Sequence, residues 1–140
     1  MTILVVDGQG GRLGRQLVKE IAERFPAHDL LAVGTNSMAT ESMLKAGAAR
    51  AATGENAVVV ACRKADVIIG PVGIVIADAL LGEVTPAMAK AVGQSGAVRI
   101  LLPSDKCETL IAGVSDTGMG ALIEDAMDKL AGLLQQHPRH

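Results

Sequence analysis

Four apolar residues in a row, Ile3-Leu4-Val5-Val6, stop at Asp7-Gly8, and the next apolar positions are Leu13, Leu17, Val18, Ile21, Ala22 and Phe25. The unbroken run predicts a short strand covered on both faces, whereas the later positions recur at helical spacing and share one face. The alternation repeats down the chain. A break at Phe25-Pro26-Ala27-His28 precedes a second strand over 29–34. The oxygen-bearing Thr35-Asn36-Ser37 then precedes a helix over 38–46, which Gly47 ends. Residues 48–53 hold a short, bland third strand. The valine-rich stretch 57–64 has the β-branched residues of a strand, yet 66–70 is the stronger strand, and alternation places a helix before it.

Pro71-Val72-Gly73 punctuates that strand, and residues 74–81 are expected to form a helix closed by Gly82. Thr85 followed by Pro86 is an N-cap and first-turn proline for a helix over 87–92. A strand over 97–102 stops at Pro103, and a last strand is expected over 109–114. Asp116 or Thr117 caps a final helix whose stripe is Leu122, Ile123, Ala126, Met127, Leu130 and Leu134. Residues 135–140 form a tail. Strands alternating with helices define one α/β domain over 1–134, a Rossmann-like three-layer sandwich around a mostly parallel sheet.

In such sheets ligands sit at the carboxyl ends of the strands, which makes the loops 7–14, 34–37, 53–56, 70–73 and 103–107 the candidate site. The first is the most informative. Gly8-Gln9-Gly10-Gly11-Arg12-Leu13-Gly14 is a G-x-x-G-x-x-G variant of the dinucleotide fingerprint, set between strand and helix as that fingerprint requires. Gly8 suits a tight turn, Gly11 the close approach of a ligand, and Gly14 the close packing of helix on strand. The unpaired N–H groups and the dipole at the helix start favour an anion. Gly8, Gln9, Gly10, Gly11 and Gly14 are therefore expected to hold phosphates, with Arg12 in reach. Thr35, Asn36 and Ser37 are expected to meet the adenosine ribose or its 2′-phosphate, and Gly70, Pro71 and Gly73 to floor the reacting end. The expected cofactor is NADP or NAD.

Two features depart from an ordinary NAD site. Asp7 puts a carboxylate where a pyrophosphate would be repelled unless the side chain faces away. It ties down the turn's N–H groups, holds a metal, or serves as a general base. The acidic residue expected about 20 positions on, which would receive the adenosine ribose, is missing. Gly34-Thr35-Asn36-Ser37 stands there instead, which disfavours NAD and leaves NADP, though no arginine follows.

A chain of 140 residues fits one domain with a real core but not a further substrate domain. Its 13 Lys and Arg against 15 Asp and Glu leave no basic footprint for nucleic acid. With no Trp or Tyr and Phe25 alone, base stacking lacks its platform. Asp66, Asp78 and Glu83 interrupt the most hydrophobic region, so no membrane span is expected. No basic leader segment precedes Ile3, and the cytoplasm is the expected location. Cys62 and Cys107 lack metal-like spacing and read as free thiols.

Catalytic constellations are thin. His28 falls at the wrong edge and His137 and His140 lie in the tail, so neither a Ser/His/Asp triad nor a zinc site assembles. Asp7, Glu55, Asp78, Glu83, Asp105 and Cys107 are the candidates for acid–base work, and Cys107, next to Lys106, is the most reactive by position. No catalytic residue is assigned.

The chain resembles, nearly end to end, the short bacterial proteins grouped as Domain of Unknown Function 3842. The likeness is carried by Asp7-Gly8-Gln9-Gly10-Gly11, Gly34-Thr35-Asn36-Ser37, Met43-Leu44-Lys45-Ala46-Gly47-Ala48, Ala52-Thr53-Gly54-Glu55-Asn56-Ala57 and Ala65-Asp66-Val67-Ile68-Ile69-Gly70-Pro71. That family brings no established activity. The stretch from Gly8 to Leu17 is also similar to the nucleotide loop of dihydrodipicolinate reductase, an NAD(P)-dependent enzyme, and this implies nucleotide binding alone, because the reductase's catalytic His and Lys belong to a domain this chain lacks. The expected partner is thus a small nucleotide or anionic metabolite. The alternative is a non-catalytic small-anion or phosphometabolite module acting as a homodimer through the stripe of its last helix.

Overall fold

The computed structural model describes residues 1–104, 108–114 and 118–136. Strands β1 (Thr2–Asp7), β2 (Asp29–Gly34), β3 (Arg50–Thr53), β4 (Val67–Pro71) and β5 (Val98–Leu102) form one sheet. All four pairings are parallel, in the order β3-β2-β1-β4-β5. The helices are α1 (Arg12–Arg24), α2 (Ser37–Ala46), α3 (Glu55–Lys64), α4 (Pro86–Gln94) and α5 (Met119–Gln136). The expected Rossmann-like sandwich is the fold.

The unbroken apolar run of β1 serves both faces, because successive side chains point opposite ways. Ile3 and Val5 join a core with Leu17, Val18 and Ile21 of α1, Met43 of α2, and Ile123, Met127 and Leu130 of α5. Leu4 and Val6 join the opposite core with Val58 of α3 and Met88 and Val92 of α4. Each such side chain contributes about 1.5–3 kcal/mol by leaving water. The stripe of the last helix is largely used inside the chain: Ile123, Ala126, Met127 and Leu130 are buried, and Leu122 and Leu134 pack against the same core.

The caps follow the sequence. Asn36 accepts from the Ala39 N–H at the start of α2, and Thr85 accepts from the Met88 N–H at the start of α4, ahead of Pro86. The valine-rich stretch is α3, and the bland segment does hold β3.

Two expected elements are absent. The helix expected over 74–81 is replaced by a single 3-10 turn, Val72–Val75, followed by non-helical turns. Its β-branched Ile74, Val75 and Ile76 are weak helix formers. Asp78, Leu80 and Leu81 also adopt φ of 68°, 57° and 58°, where a right-handed helix cannot continue. Those turns bury Ile74, Ala79, Leu80 and Val84 against Leu4 and Val6. The strand expected over 109–114 is also absent. These residues are exposed, and Gly113 turns the chain at φ 85°, so the sheet ends at β5 among the described residues. Asp116 and Thr117, the expected caps of α5, and residues 137–140 of the tail lie outside the described residues.

Candidate functional site

The order of strands reverses between β1 and β4, so their connections leave in opposite directions and a crevice opens at the carboxyl edge. A cleft of about 750 Å³ lies there. Its floor is Asp7, Pro71 at the end of β4, and Pro103 and Ser104 after β5; its sides are the loop Gly8–Arg12 and the start of α5. Leu110, Ile111 and Val114 give it an apolar rim.

The glycine loop is built around Asp7, which is 6 % exposed. Its Oδ1 accepts from the Gly8 N–H at 2.8 Å and its Oδ2 from the Gly14 N–H at 2.7 Å. Of the roles open to this carboxylate, the structure shows it bonding the turn backbone. It also puts negative charge at the N-terminus of α1, which favours the helix. Gly14 is required by contact, since a Cβ there would lie 2.6 Å from Met43 Sδ and 2.7 Å from Asp7 Cβ.

The other glycines divide by what surrounds them. Gly11 has φ 72°, and a Cβ on it would come within 2.8 Å of Ala39 Cα, so it lets α2 cross close to the loop. Gly8 is closed by Thr35, Leu80 and Glu83. Gly70 faces backbone, with a built Cβ only 2.3 Å from the Val6 carbonyl oxygen, and Gly73 is buried in the 3-10 turn. Of the loop's glycines, Gly10 alone is exposed with open space above it. The N–H groups of Gly10, Arg12 and Leu13 donate to no acceptor among the described residues. Arg12 is exposed and lines the cleft.

At the end of β2 the side chains are already engaged. Thr35 Oγ1 and Asn36 Nδ2 each donate to Glu83 Oε1 at 2.7 Å, and the Gln9 N–H donates to the same oxygen at 2.8 Å. Asn36 Nδ2 also reaches the Gln9 carbonyl, at 2.8 Å, while Ser37 is exposed. Gly8, Gln9, Gly10, Gly11, Arg12 and Pro71 therefore line the cleft, whereas Gly14, Thr35, Asn36, Ser37, Gly70 and Gly73 do not. The acidic member of this cluster was not placed by sequence, because Glu83 arrives from the turns after β4, 48 positions beyond Thr35.

Burial by itself would raise the Glu83 pKa, but the hydrogen bonds from Thr35, Gln9 and Asn36 outweigh it and hold the carboxyl below its ordinary range. A group whose pKa is lowered on folding stabilises the fold above its unfolded value and loses that contribution as pH falls through the folded one. Protection of the Gln9 amide from hydrogen exchange, relative to the intrinsic rate at each pH, should therefore be high at neutral pH and fall in acid, below the ordinary carboxylate range. Exchange independent of Glu83 protonation, matched by Glu83→Gln, would contradict this bond.

The remaining candidates for acid–base work do not gather here. Glu55 is exposed in the first turn of α3, and Asp78 is exposed in the turns after β4. His28 sits at the opposite edge, its Nδ1 3.1 Å from the Met1 amino group. Asp105 and Cys107 lie outside the described residues. Cys62 is buried beside a groove of about 620 Å³ between α3 and α4, and burial pushes its thiol up to about 11, which keeps it protonated near neutrality. Among the described residues, no group of three or more His, Cys, Asp or Glu gathers as for a metal, and no helix is long and apolar enough to cross a membrane.

Fold and cleft together define a single-domain α/β protein with an all-parallel sheet and a glycine loop at its topological switch point. The chain belongs to the family described as Domain of unknown function (DUF3842), whose profile matches residues 2–135. No curated protein and no solved structure matches it.

Proposed function

We propose that the protein binds a nucleotide, of the NAD(P) type or a smaller relative, with its phosphates at the start of α1, where the cleft toward β4 and β5 opens. One observation carries this reading. The only unobstructed part of the glycine loop, Gly10, stands with the unused N–H groups of Gly10, Arg12 and Leu13 where the cleft opens. Backbone donors at a helix start suit phosphate oxygens, and the apolar rim suits a base or nicotinamide ring. The similarity of the loop to that of dihydrodipicolinate reductase supports the same reading.

Gly10 is also where ligand and fold separate experimentally. A side chain at Gly11 strikes α2, whereas one at Gly10 meets nothing within 4 Å. Gly10→Glu puts a carboxylate at the phosphate position and leaves the packing alone. In calorimetry against NAD, NADP, ATP and a sugar phosphate, on protein stripped of co-purified ligand, it should weaken binding at least about tenfold with an unchanged melting temperature. Equal affinity for wild type and Gly10→Glu would remove the loop from the site.

A further inference from the structure

We propose that Glu83 receives the 2′- and 3′-hydroxyls of the ligand's ribose, so that the site takes a nucleotide with a free 2′-hydroxyl and rejects a 2′-phosphate; this rests on the nucleotide reading above. A dinucleotide fold needs an acidic group at the end of its second strand for that diol, and none follows β2 in sequence. In space one is present. Glu83 lies against Gly8, Gln9, Thr35 and Asn36, at the end of β2 and beside the loop that offers its N–H groups to phosphate. The N–H that reaches Glu83 Oε1 is that of Gln9, the residue before Gly10, so the carboxylate and the phosphate donors lie on one short loop, within the span of a nucleoside 5′-phosphate.

The carboxylate is fixed and half free. Three donors converge on Oε1. Oε2 has no hydrogen bond among the described residues, and it is not buried, because no buried side-chain oxygen is left unpartnered. A fixed carboxylate with one open oxygen is an acceptor for hydroxyl protons that needs no further ordering. A phosphate on the 2′-oxygen would remove a donor and bring like charge against it. Thr35 and Asn36 then act as positioning residues for Glu83 rather than as direct ribose contacts. The backbone is bent to hold it there: Asp78, Leu80 and Leu81 keep positive φ, Leu80 is buried against Gly8, and Gly82 follows at φ 89°. Strain of this kind persists where the surrounding structure fixes it, and it clusters at ligand sites.

The test is calorimetry on the full chain with NAD, NADP, ADP, 2′-deoxy-ADP and inorganic pyrophosphate, for wild type and Glu83→Gln. Wild type should bind NAD about tenfold more tightly than NADP, and ADP about tenfold more tightly than 2′-deoxy-ADP. Glu83→Gln should remove most of both preferences while pyrophosphate is still bound, no more weakly than by wild type, since a negative charge beside the phosphate loop is removed. The deoxy comparison on wild type reads the same contact if the variant is unstable. Equal binding of NAD and NADP, or preferences that survive Glu83→Gln, would overturn the assignment while pyrophosphate binding lost in Gly10→Glu leaves the phosphate site standing. Failure of wild type to bind pyrophosphate or any nucleotide would overturn both.

Discussion

Gly70→Ala is expected to destabilise the domain by about 3 kcal/mol, lowering the thermal midpoint by roughly 10 °C. The methyl group would lie 2.3 Å from the Val6 carbonyl oxygen and 3.0 Å from Ile74 Cδ1. Ile74 has a flexible end, but the Val6 carbonyl belongs to the neighbouring central strand and cannot yield without disturbing the β1–β4 ladder. Parallel pairing at Ile3, Leu4 and Val5 with Val67, Ile68 and Ile69 continues directly into this contact. Because the ladder also positions Pro71 in the cleft floor, the variant should lose stability and ligand binding together. Urea denaturation with an unchanged slope and a lowered midpoint is the expected record, and an unchanged midpoint would show that the strands part more easily than their packing implies.

The second large effect belongs to Asp7→Ala. Two amides, those of Gly8 and Gly14, give their hydrogens to this one buried carboxylate. Truncation leaves both donors without their acceptor, at roughly 1–3 kcal/mol each. It also opens a space beside Met43 and removes a negative charge from the start of α1. A total near 3 kcal/mol is expected. Asp7→Asn is the informative comparison. Its amide has one oxygen and one NH2 group, so at most one of the two bonds survives, and its cost should fall between wild type and alanine. If Asn and Ala variants were both as stable as wild type, the carboxylate would not be what holds the loop.

Much of this fold is legible in the sequence. The apolar run of β1 and the helical spacing from Leu13 to Phe25 fix a strand, a turn and a helix, and alternation alone places α3 and β3. The turn chemistry of Asn36, Thr85 and Pro86 reads directly as caps. What the pattern misses has two physical causes. Residues 74–81 are apolar enough for a helix, but burying Leu80 against Gly8 requires left-handed backbone at non-glycine positions, a tertiary demand with no local signal. Residues 109–114 have strand composition, yet no sixth strand position is filled among the described residues, and they border the cleft instead. The site divides in the same way. Gly10, Gly11 and Arg12 were recognisable from spacing, although the close contact at Gly11 proves to be with α2. Glu83 was visible only as one acidic residue among several, since its partners Thr35 and Asn36 are brought to it by the crossing of the chain over the sheet.

On the proposed reading, the cleft beside the glycine loop is the ligand site. Amide chemical-shift mapping of the full chain, titrated with NAD and with inorganic pyrophosphate, tests it most directly. Pyrophosphate should move the amides of Gly10, Arg12 and Leu13, and NAD should add shifts at Glu83, Ile111 and Leu122. Shifts confined to the groove between α3 and α4, or none with either ligand, would contradict it.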